Sequence, residues 1–413
     1  MAPLAADTDF LQVPLAVFGV LLVAGALAAG LARRSFLSLT AAFVVAGFIL
    51  GRGGLEVLDL DPRSDFAAAL AVIALILILF RDGLEIEDEM LHSAWHLPLR
   101  KLVLAMPLTA VLVALLAHAV TDLGWTESFL IGALLSPTDP VLSATVVTNP
   151  RVPRVVRHSL NLESGLNDGL ALPAVLAFTA AAEADSDFLW WRFVVQDVLV
   201  GFATGLLIAF LAARLMPRVR SLGHEVTPHQ KSLYALGVAF VAYGVAVLPP
   251  EGNGFIAVFV AAIALGNMRP DIAECFEQRS EDLIEVVKLA VFLVFGAILT
   301  LDGLFGDGWA AVAIAAFTLL VARPVAVFAA LAGSRGVGTA EKAFMAWFGP
   351  KGVATMTFAL LVLGSGVADG ERIANIAALV VFVSIIAHGL TDHAGVDWIA
   401  RRTERAAAPA GAA

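Results

Sequence analysis

The stretch NLESGLNDGLALP, residues 161–173, places four polar side chains within six residues of a segment that is predicted to be a membrane helix. These side chains are Glu163, Ser164, Asn167 and Asp168. Residues four apart share a face of a helix, so Ser164 pairs with Asp168 and Glu163 pairs with Asn167. At about 100° per residue, Glu163 and Asp168 point about 140° apart. The stretch therefore predicts a single membrane helix with two different polar faces.

The composition places this helix in a polytopic membrane protein. Of the 413 residues, 60% are hydrophobic and 15% are charged, whereas soluble domains have about 45–50% apolar and about 25% charged residues. The single cysteine, Cys275, excludes an intrachain disulfide and a cysteine zinc site. No ATP-binding motif or metal-ligand spacing is found, so no cofactor is predicted. The basic residues are distributed by membrane side rather than pooled, so no nucleic-acid partner is predicted.

Thirteen apolar segments are candidates for crossing the bilayer. A helix that crosses ~30 Å of hydrocarbon needs about 20 apolar residues. We number the segments span 1 to span 13, and they lie near 10–32, 37–51, 65–83, 99–121, 126–148, 158–181, 190–214, 231–249, 253–268, 284–301, 308–332, 341–364 and 372–392. The sequence thus predicts an all-α fold with 13 transmembrane helices.

Lysine and arginine in the connecting loops set the orientation. One side of the membrane holds nineteen of them, including Arg100 and Lys101, and the other side holds four. Positive charge accumulates on the cytoplasmic side. We therefore predict an N-terminus outside, a C-terminus in the cytoplasm, and a multi-pass location in a bacterial inner membrane.

Helix breakers reveal a second pattern. Span 5 contains SPTDP at 136–140, and span 12 contains GPKG at 349–352. Proline inside a helix removes a backbone hydrogen bond, and at membrane depth the freed groups are tolerated only where protein or water covers them. If span 7 is a linker, spans 1–6 and spans 8–13 form two sets of six. Span 5 is then the fifth of the first set, and span 12 is the fifth of the second. This arrangement is typical of transporters with inverted six-helix repeats and two broken helices at the midplane.

Among the charged residues within the predicted spans, we match three cations against three acids. Ionisable groups at membrane depth usually face a cavity or a partner. We expect Asp139 to suit the positive ends of the half-helices and Lys351 their negative ends. Lys288 could equally extend its ammonium group to the interface, and His388, near the end of span 13, is expected to be interfacial. The three cations are Lys288, Arg323 and Lys351, and the three acids are Asp139, Glu163 and Asp168.

Carboxylate, hydroxyl and carbonyl oxygens bind small hard cations, and one aspartate can hold either a proton or a cation. The motifs SPTDP, ESGLNDG, VARP and GPKGV, in this order on spans 5, 6, 11 and 12, resemble the monovalent cation/proton antiporter family. The closer branch is that of the electroneutral, NhaP-type sodium/proton exchangers. The resemblance implies an ion site formed by Asp168, Ser164, Thr138 and Asn167, and a homodimer.

The resemblance also implies a structural ion pair between Glu163 and Arg323, and one titrating acid because Asn167 precedes Asp168. Two positions depart from the family pattern. Lys351 stands where arginine is usual, which retains the charge but loses the guanidinium fork. In LFRDGLE, residues 79–85, Arg81 stands where many members have an acid, and Asp82 follows it. An ion ligand from span 3 is therefore an open question.

The family resemblance divides the chain into a moving core and a dimerisation scaffold within one membrane domain. Scaffold spans 1–3 occupy 10–98, and core spans 4–6 occupy 99–184. The linker span and scaffold spans 8–10 occupy 185–305, and core spans 11–13 occupy 306–393. Residues 394–413 are expected to form a short cytoplasmic tail.

The leading hypothesis is exchange of one Na⁺ for one H⁺, with Asp168 carrying each in turn. A K⁺/H⁺ exchanger with the same machinery is the first alternative, and Li⁺ is not separated from either ion. A channel-like or sensor protein with the same fold is the second. A membrane hydrolase that uses Asp139 and Asp168 is disfavoured, because no nucleophile with a neighbouring base is found. The chain is therefore predicted to be a transporter and not an enzyme.

Overall fold

The structure is a computed structural model that describes residues 9–32, 39–61, 63–84, 86, 95–139, 144–184, 188–216 and 226–407. In this part of the chain every regular element is a helix, which confirms the all-α fold class. The helices are α1 (Asp9–Ala32), α2 (Leu39–Leu50), α3 (Asp65–Leu84), α4 (His96–Val120), α5 (Trp125–Leu135), α6 (Ala144–Thr148), α7 (Arg154–Ala184), α8 (Trp190–Leu215), α9 (Pro228–Ala246), α10 (Gly254–Met268), α11 (Pro270–Ile298), α12 (Leu301–Leu304), α13 (Trp309–Ala330), α14 (Thr339–Trp347), α15 (Val353–Gly364) and α16 (Gly370–Ala407).

Helices cover all thirteen predicted segments within the described residues. Six of them, α3, α4, α7, α8, α13 and α16, are long and apolar enough to cross a membrane by length and composition. Others, such as α2, α5, α10 and α15, are apolar but shorter. The number of crossings therefore remains a prediction, although the multi-pass helical architecture is confirmed.

Two helices extend well beyond the apolar segments that predict them. Helix α11 begins at Pro270 rather than near 284. Helix α16 continues to Ala407, so the predicted tail at 394–413 is helical for as far as the structure describes it. Hydropathy marks only the apolar part of a helix, whereas Glu and Arg are good helix formers outside it. As a result Lys288 lies well inside α11, about 27 Å from its first residue.

Both predicted helix breaks are present. Helix α5 ends at Leu135 and α6 begins at Ala144. Helix α14 ends at Trp347 and α15 begins at Val353. Proline lacks the N–H that would continue each helix, although Pro140 of the first motif lies outside the described residues. The breaks leave the end of α5 and the start of α15 in the interior of the protein, because Leu135 and Val353 are buried.

Glycines allow α2 and α11 to pack with their backbones in contact. A Cβ atom on Gly47 would meet the backbone of Leu293, and one on Gly296 would meet the carbonyl of Val44. Small residues at such positions let membrane helices approach closely, where van der Waals packing replaces the hydrophobic effect as the driving force. The two helices therefore form a tightly packed pair.

Buried apolar residues form two clusters. The larger one extends through most of the helices. The smaller one lies where α4 and α7 begin and where α13 and α16 end, which is the side predicted to face the cytoplasm. It contains Leu97, Ala105, Val146, Val152, Val156, Leu160, Ala326, Val327, Ala330, Leu331, Phe344, Met345, Ala346, Phe348, Val396 and Ile399.

The Gly296→Val substitution tests the contact between α2 and α11. The added methyl groups would overlap the α2 backbone, and overpacking of this kind costs roughly 1–3 kcal/mol or more. We expect a lower thermal unfolding temperature of the detergent-purified protein. The matched control is Gly237→Val on α9, where a Cβ atom meets nothing within 4 Å. Equal unfolding temperatures for the two variants would contradict the close packing.

Candidate functional site

The two helix breaks bind each other through the backbone and through Asp139. The N–H of Asp139 donates to the carbonyl of Pro350 at 2.8 Å. The N–H of Val353, at the start of α15, donates to Asp139 Oδ2 at 2.9 Å. A helix N-terminus has unpaired N–H groups and partial positive charge, so a carboxylate is favourable there. The structure thus places Asp139 at the positive half-helix end for which it was predicted.

Lys351 occupies the complementary position at the end of α5. Its Nζ donates to the carbonyls of Ser136 at 3.1 Å and Pro137 at 2.9 Å, and the residue is 0% exposed. The last carbonyls of a helix have no partner within the helix and carry partial negative charge. An ammonium group meets both needs, so the contact does not require the guanidinium fork that is usual in the family.

Thr138 joins the first break to α7. Its carbonyl accepts hydrogen bonds from Ser164 Oγ at 2.9 Å and from Asn167 Nδ2 at 2.7 Å. Asn167 Nδ2 also donates to Thr138 Oγ1 at 2.8 Å. Asn167 therefore contacts the same carbonyl as Ser164, which lies three residues earlier on α7. The four-residue spacing had instead grouped Asn167 with Glu163. The two bonds use both lone pairs of the Thr138 carbonyl.

Two side-chain oxygen atoms on consecutive residues of α7 are buried and unsatisfied. Asp168 Oδ1 and Asn167 Oδ1 have no hydrogen-bond partner among the described residues, and Asp168 is 7% exposed. A buried polar atom without a partner is costly and usually reflects a functional requirement. Carboxylate, amide and hydroxyl oxygens at this point form a donor set suited to a hard monovalent cation, and the carboxylate alone suits a proton.

Glu163 binds two cations rather than one. Its Oε1 accepts from Arg323 Nη1 at 3.0 Å, and its Oε2 accepts from Lys101 Nζ at 2.6 Å. Lys101 Nζ also donates to the carbonyl of Ser159 at 3.0 Å. All three charged side chains are nearly inaccessible to solvent. We name Lys101, Glu163 and Arg323 the ionic triad, which joins α4, α7 and α13.

Lys101 was predicted to lie among the loop cations of the cytoplasmic side, and this prediction is wrong. Helix α4 begins at His96, so Lys101 lies more than one turn inside it and is 1% exposed. Lys101 follows Arg100 directly in the sequence, so hydropathy cannot tell which of the two is buried. The direction of each side chain around the helix axis can, because consecutive residues point about 100° apart.

The residues of span 3 and span 10 form a separate charged group. Asp82 on α3 is buried, and its Oδ1 accepts from Nε of Arg81 at 2.8 Å and from Nη2 at 2.5 Å. Lys288 on α11 is 6% exposed and pairs with Glu285 at 2.9 Å. Asp82 lies within electrostatic range of both Lys288 and Asp168. Lys288 thus faces the protein interior, and Lys101 is a further buried cation, bound to Glu163.

Removing different members of the ionic triad should have unequal effects. Lys101→Met leaves the Glu163–Arg323 pair balanced, and loss of a charged hydrogen bond costs about 1.5–3 kcal/mol. Glu163→Gln leaves two buried cations without their carboxylate, and breaking a buried pair costs about 3–5 kcal/mol. We expect thermal unfolding temperatures in the order wild type, Lys101→Met, Glu163→Gln.

The control for this series is Lys342→Met, which removes a partly exposed lysine of α14. It should unfold at the wild-type temperature. A Lys101→Met variant that matches this control, or a Glu163→Gln variant more stable than Lys101→Met, would contradict the shared-carboxylate arrangement.

Comparisons with known proteins identify relatives of this chain. The chain is 26% identical over 410 residues to the K(+)/H(+) antiporter NhaP of Alkalimonas amylolytica, a match that covers 97% of this chain and 69% of the relative. It is 24% identical to K(+)/H(+) antiporter NhaP2 of Shewanella oneidensis, covering 93% of this chain and 66% of the relative. It is 22% identical to the probable Na(+)/H(+) antiporter 2 of Methanocaldococcus jannaschii, covering 84% of each.

The chain thus spans about two thirds of the length of the two potassium relatives. Among solved structures, it superposes on the sodium proton antiporter MjNhaP1 of Methanocaldococcus jannaschii with a TM-score of 0.79 and 19% identity. That match covers 95% of this chain and 99% of the other, which establishes a common fold. The family model described as "Sodium/hydrogen exchanger, transmembrane" matches residues 19–395. Because this match covers most of the sequence, the chain belongs to the sodium/hydrogen exchanger family.

Proposed function

We propose that this protein is a secondary antiporter that exchanges one monovalent cation for one proton, with Asp168 as the shared carrier. The observation that carries the proposal is the buried Asp168 carboxylate, one oxygen of which has no hydrogen-bond partner in the described part of the chain. It follows Asn167, whose Oδ1 is also unpaired among the described residues, and it is one helical turn from Ser164. These oxygens are the groups that a small cation or a proton requires.

Within the predicted core, the charges near the crossing support exchange of one ion for another of equal charge. Asp139, Glu163 and Asp168 lie with Lys101, Arg323 and Lys351. Neutralising Asp168 with a proton or with a monovalent cation changes the charge of this group by the same amount. Whatever charge the other members carry, the two loaded forms have equal net charge. A core that moves with either load therefore meets the same electrostatic barrier.

Asn167 places an amide where a second titrating acid could stand on α7. Its amide donates two hydrogen bonds to Thr138, and a carboxylate, which only accepts when ionised, makes neither. An amide at this position therefore orders the break and adds no second proton-carrying acid. This is the physical basis on which we propose electroneutral, one-for-one exchange.

Two ions are candidates for the transported cation. We propose Na⁺ as the principal substrate, consistent with the family and with the archaeal relatives, which are named for sodium. K⁺ is the second candidate, because the Alkalimonas and Shewanella relatives are named K(+)/H(+) antiporters. The oxygen donors of the site suit both ions, so selectivity depends on how many of them converge on one point. Dequenching of a pH-sensitive dye in proteoliposomes, with Na⁺, Li⁺ and K⁺ compared, distinguishes the candidates.

Packing supports a division into a core and a scaffold. Helix α2 packs on α11, and α8 packs on α10, within the predicted scaffold. Helices α4, α5, α7, α13, α14, α15 and α16 pack on one another within the predicted core. Arg372 at the start of α16 adds a link by binding Asp122 at 2.6 Å and also Asp307. We propose that the core moves as a unit against the scaffold and that the scaffold forms a homodimer.

The membrane location remains a proposal as well. We infer a multi-pass protein of a bacterial inner membrane with its N-terminus outside and its C-terminus in the cytoplasm. The support is the asymmetry of basic residues between the loops. Part of that asymmetry comes from Arg33, Arg34, Arg218 and Arg220, which lie outside the described residues.

Asp168→Asn provides the direct test of the proposed carrier. The amide is close to isosteric but cannot bind a transported proton or attract a cation with full charge, so exchange should be abolished. The measurement is cation-dependent dye dequenching in proteoliposomes, with size-exclusion elution to verify folding. Asp302→Asn, at an exposed position of α12, should retain wild-type exchange. Full activity of Asp168→Asn would refute the proposal.

Asn167→Asp tests whether the amide is a structural donor. The new carboxylate would face the Thr138 carbonyl without donating to it, so the break loses two hydrogen bonds of about 0.5–1.5 kcal/mol each. We expect weaker cation dependence, seen as a higher KM, with no gain of voltage-driven transport. Asn267→Asp is the matched control, because its amide bonds only to a carbonyl of its own helix. Faster, voltage-sensitive exchange by Asn167→Asp would instead identify the position as a latent second acid.

A further inference from the structure

His388 lies in the interior next to the second helix break, not at the membrane interface. It is 1% exposed. Its ring stacks on Trp347 with centroids 5.2 Å apart and meets Phe348 edge-on at 6.3 Å. Both aromatic residues are at the end of α14, where the helix breaks. Sequence position near the end of a span gave no indication of this contact.

Both ring nitrogens have a carbonyl neighbour, and a neutral ring can donate to only one of the two. In the tautomer protonated at Nε2, His388 donates to the carbonyl of Trp347 at 2.8 Å. Nδ1 lies 3.2 Å from Ser384 Oγ, which then donates to it. Nδ1 also lies 2.7 Å from the Ser384 carbonyl, a contact that would be a hydrogen bond only with a proton on Nδ1. Arg323 and Lys351 are the cations that a charged ring would face.

Ser384 extends the contact into the break. Its Oγ accepts a hydrogen bond from the backbone N–H of Lys351 at 2.8 Å. Two polar atoms of the second break, the Trp347 carbonyl and the Lys351 N–H, are therefore held by a single turn of α16. Neither atom has a place in a helical hydrogen-bond ladder, because the helix is interrupted between them.

The same lysine connects this turn to the ion site. While its backbone N–H is held by Ser384, Lys351 Nζ binds the carbonyls of Ser136 and Pro137. The next residue is Thr138, which accepts from Ser164 and Asn167. A continuous path thus connects His388 on α16 to Ser164 and Asn167 on α7. It consists of hydrogen bonds, the Lys351 side chain and the peptide bond between Pro137 and Thr138. We name His388 and Ser384 the α16 relay.

We propose that the α16 relay positions the cation site: neutral His388 and Ser384 hold the second helix break so that Lys351 sets the position of Thr138. The inference rests on the proposed function, because it concerns the site at which the cation binds. The two residues are positioning residues and do not touch the transported ion. Their removal should weaken cation binding more than it slows the movement of the core.

The donor and acceptor pattern of the relay provides the test. His388→Gln retains a donor for the Trp347 carbonyl and an acceptor for the Ser384 hydroxyl, whereas His388→Leu retains neither. In proteoliposomes we expect His388→Gln to keep a cation KM within about threefold of wild type. We expect His388→Leu and Ser384→Ala to raise the KM about tenfold, the effect of one lost hydrogen bond, with a smaller change in kcat.

His393→Leu is the matched control, because His393 is an exposed residue on the same helix. It should leave KM unchanged. A wild-type KM in both His388→Leu and Ser384→Ala would overturn the proposal. A His388→Gln variant as impaired as His388→Leu would also overturn it, in favour of simple packing of the ring on Trp347.

A thermal double-mutant cycle separates this proposal from the proposed function. His388→Leu, Ser384→Ala and the double variant are unfolded in detergent, where no transport is needed. If the two side chains form one relay, the destabilisation of the double variant should be less than the sum of the single effects. Strict additivity overturns the relay whether or not the protein exchanges cations. Absence of exchange in the wild type, with the coupling intact, would refute only the proposed function.

Discussion

The structure depends on the mutual satisfaction of two broken helices in the interior of the protein. Each break exposes backbone N–H and carbonyl groups, which cannot be left unpaired at membrane depth. The breaks solve this together: Asp139 accepts from the start of α15, and Lys351 donates to the end of α5. Each break thus supplies the charged residue that satisfies backbone groups of the other. The proposed ion-binding residues take their positions from this crossing.

The charged residues around the crossing serve two purposes that the structure keeps apart. The ionic triad of Lys101, Glu163 and Arg323 joins three helices and leaves its carboxylate fully engaged. Asp168 retains an oxygen without a partner. Buried ion pairs add little net stability but are costly to break. The triad therefore fixes the arrangement of α4, α7 and α13 around Asp168, the proposed carrier. A rigid frame with one unsatisfied acid is what a core that carries a cation or a proton requires.

Much of this was accessible from the sequence because the signals are local or topological. Proline and glycine in the middle of apolar segments predicted both breaks, and basic residues in loops gave a consistent predicted orientation. The partners of Glu163 were only half predicted. The motif of span 11 implied Arg323, but Lys101 belongs to no motif and lies beside Arg100 at a hydropathy boundary. The two side chains point in different directions around the helix axis, and these directions are known only once the start of α4 is known.

By itself the sequence determined the helical membrane fold, the two breaks and the set of polar residues from which a site could be built. Tertiary structure alone decided which of those residues meet. It added Lys101 to the partners of Glu163, turned Lys288 to the interior, moved Asn167 to the side of Ser164, and placed His388 at the second break instead of the predicted interface. The physical reason is that spacing fixes directions around one helix axis, whereas partners across a break depend on how several helices are rotated and packed together.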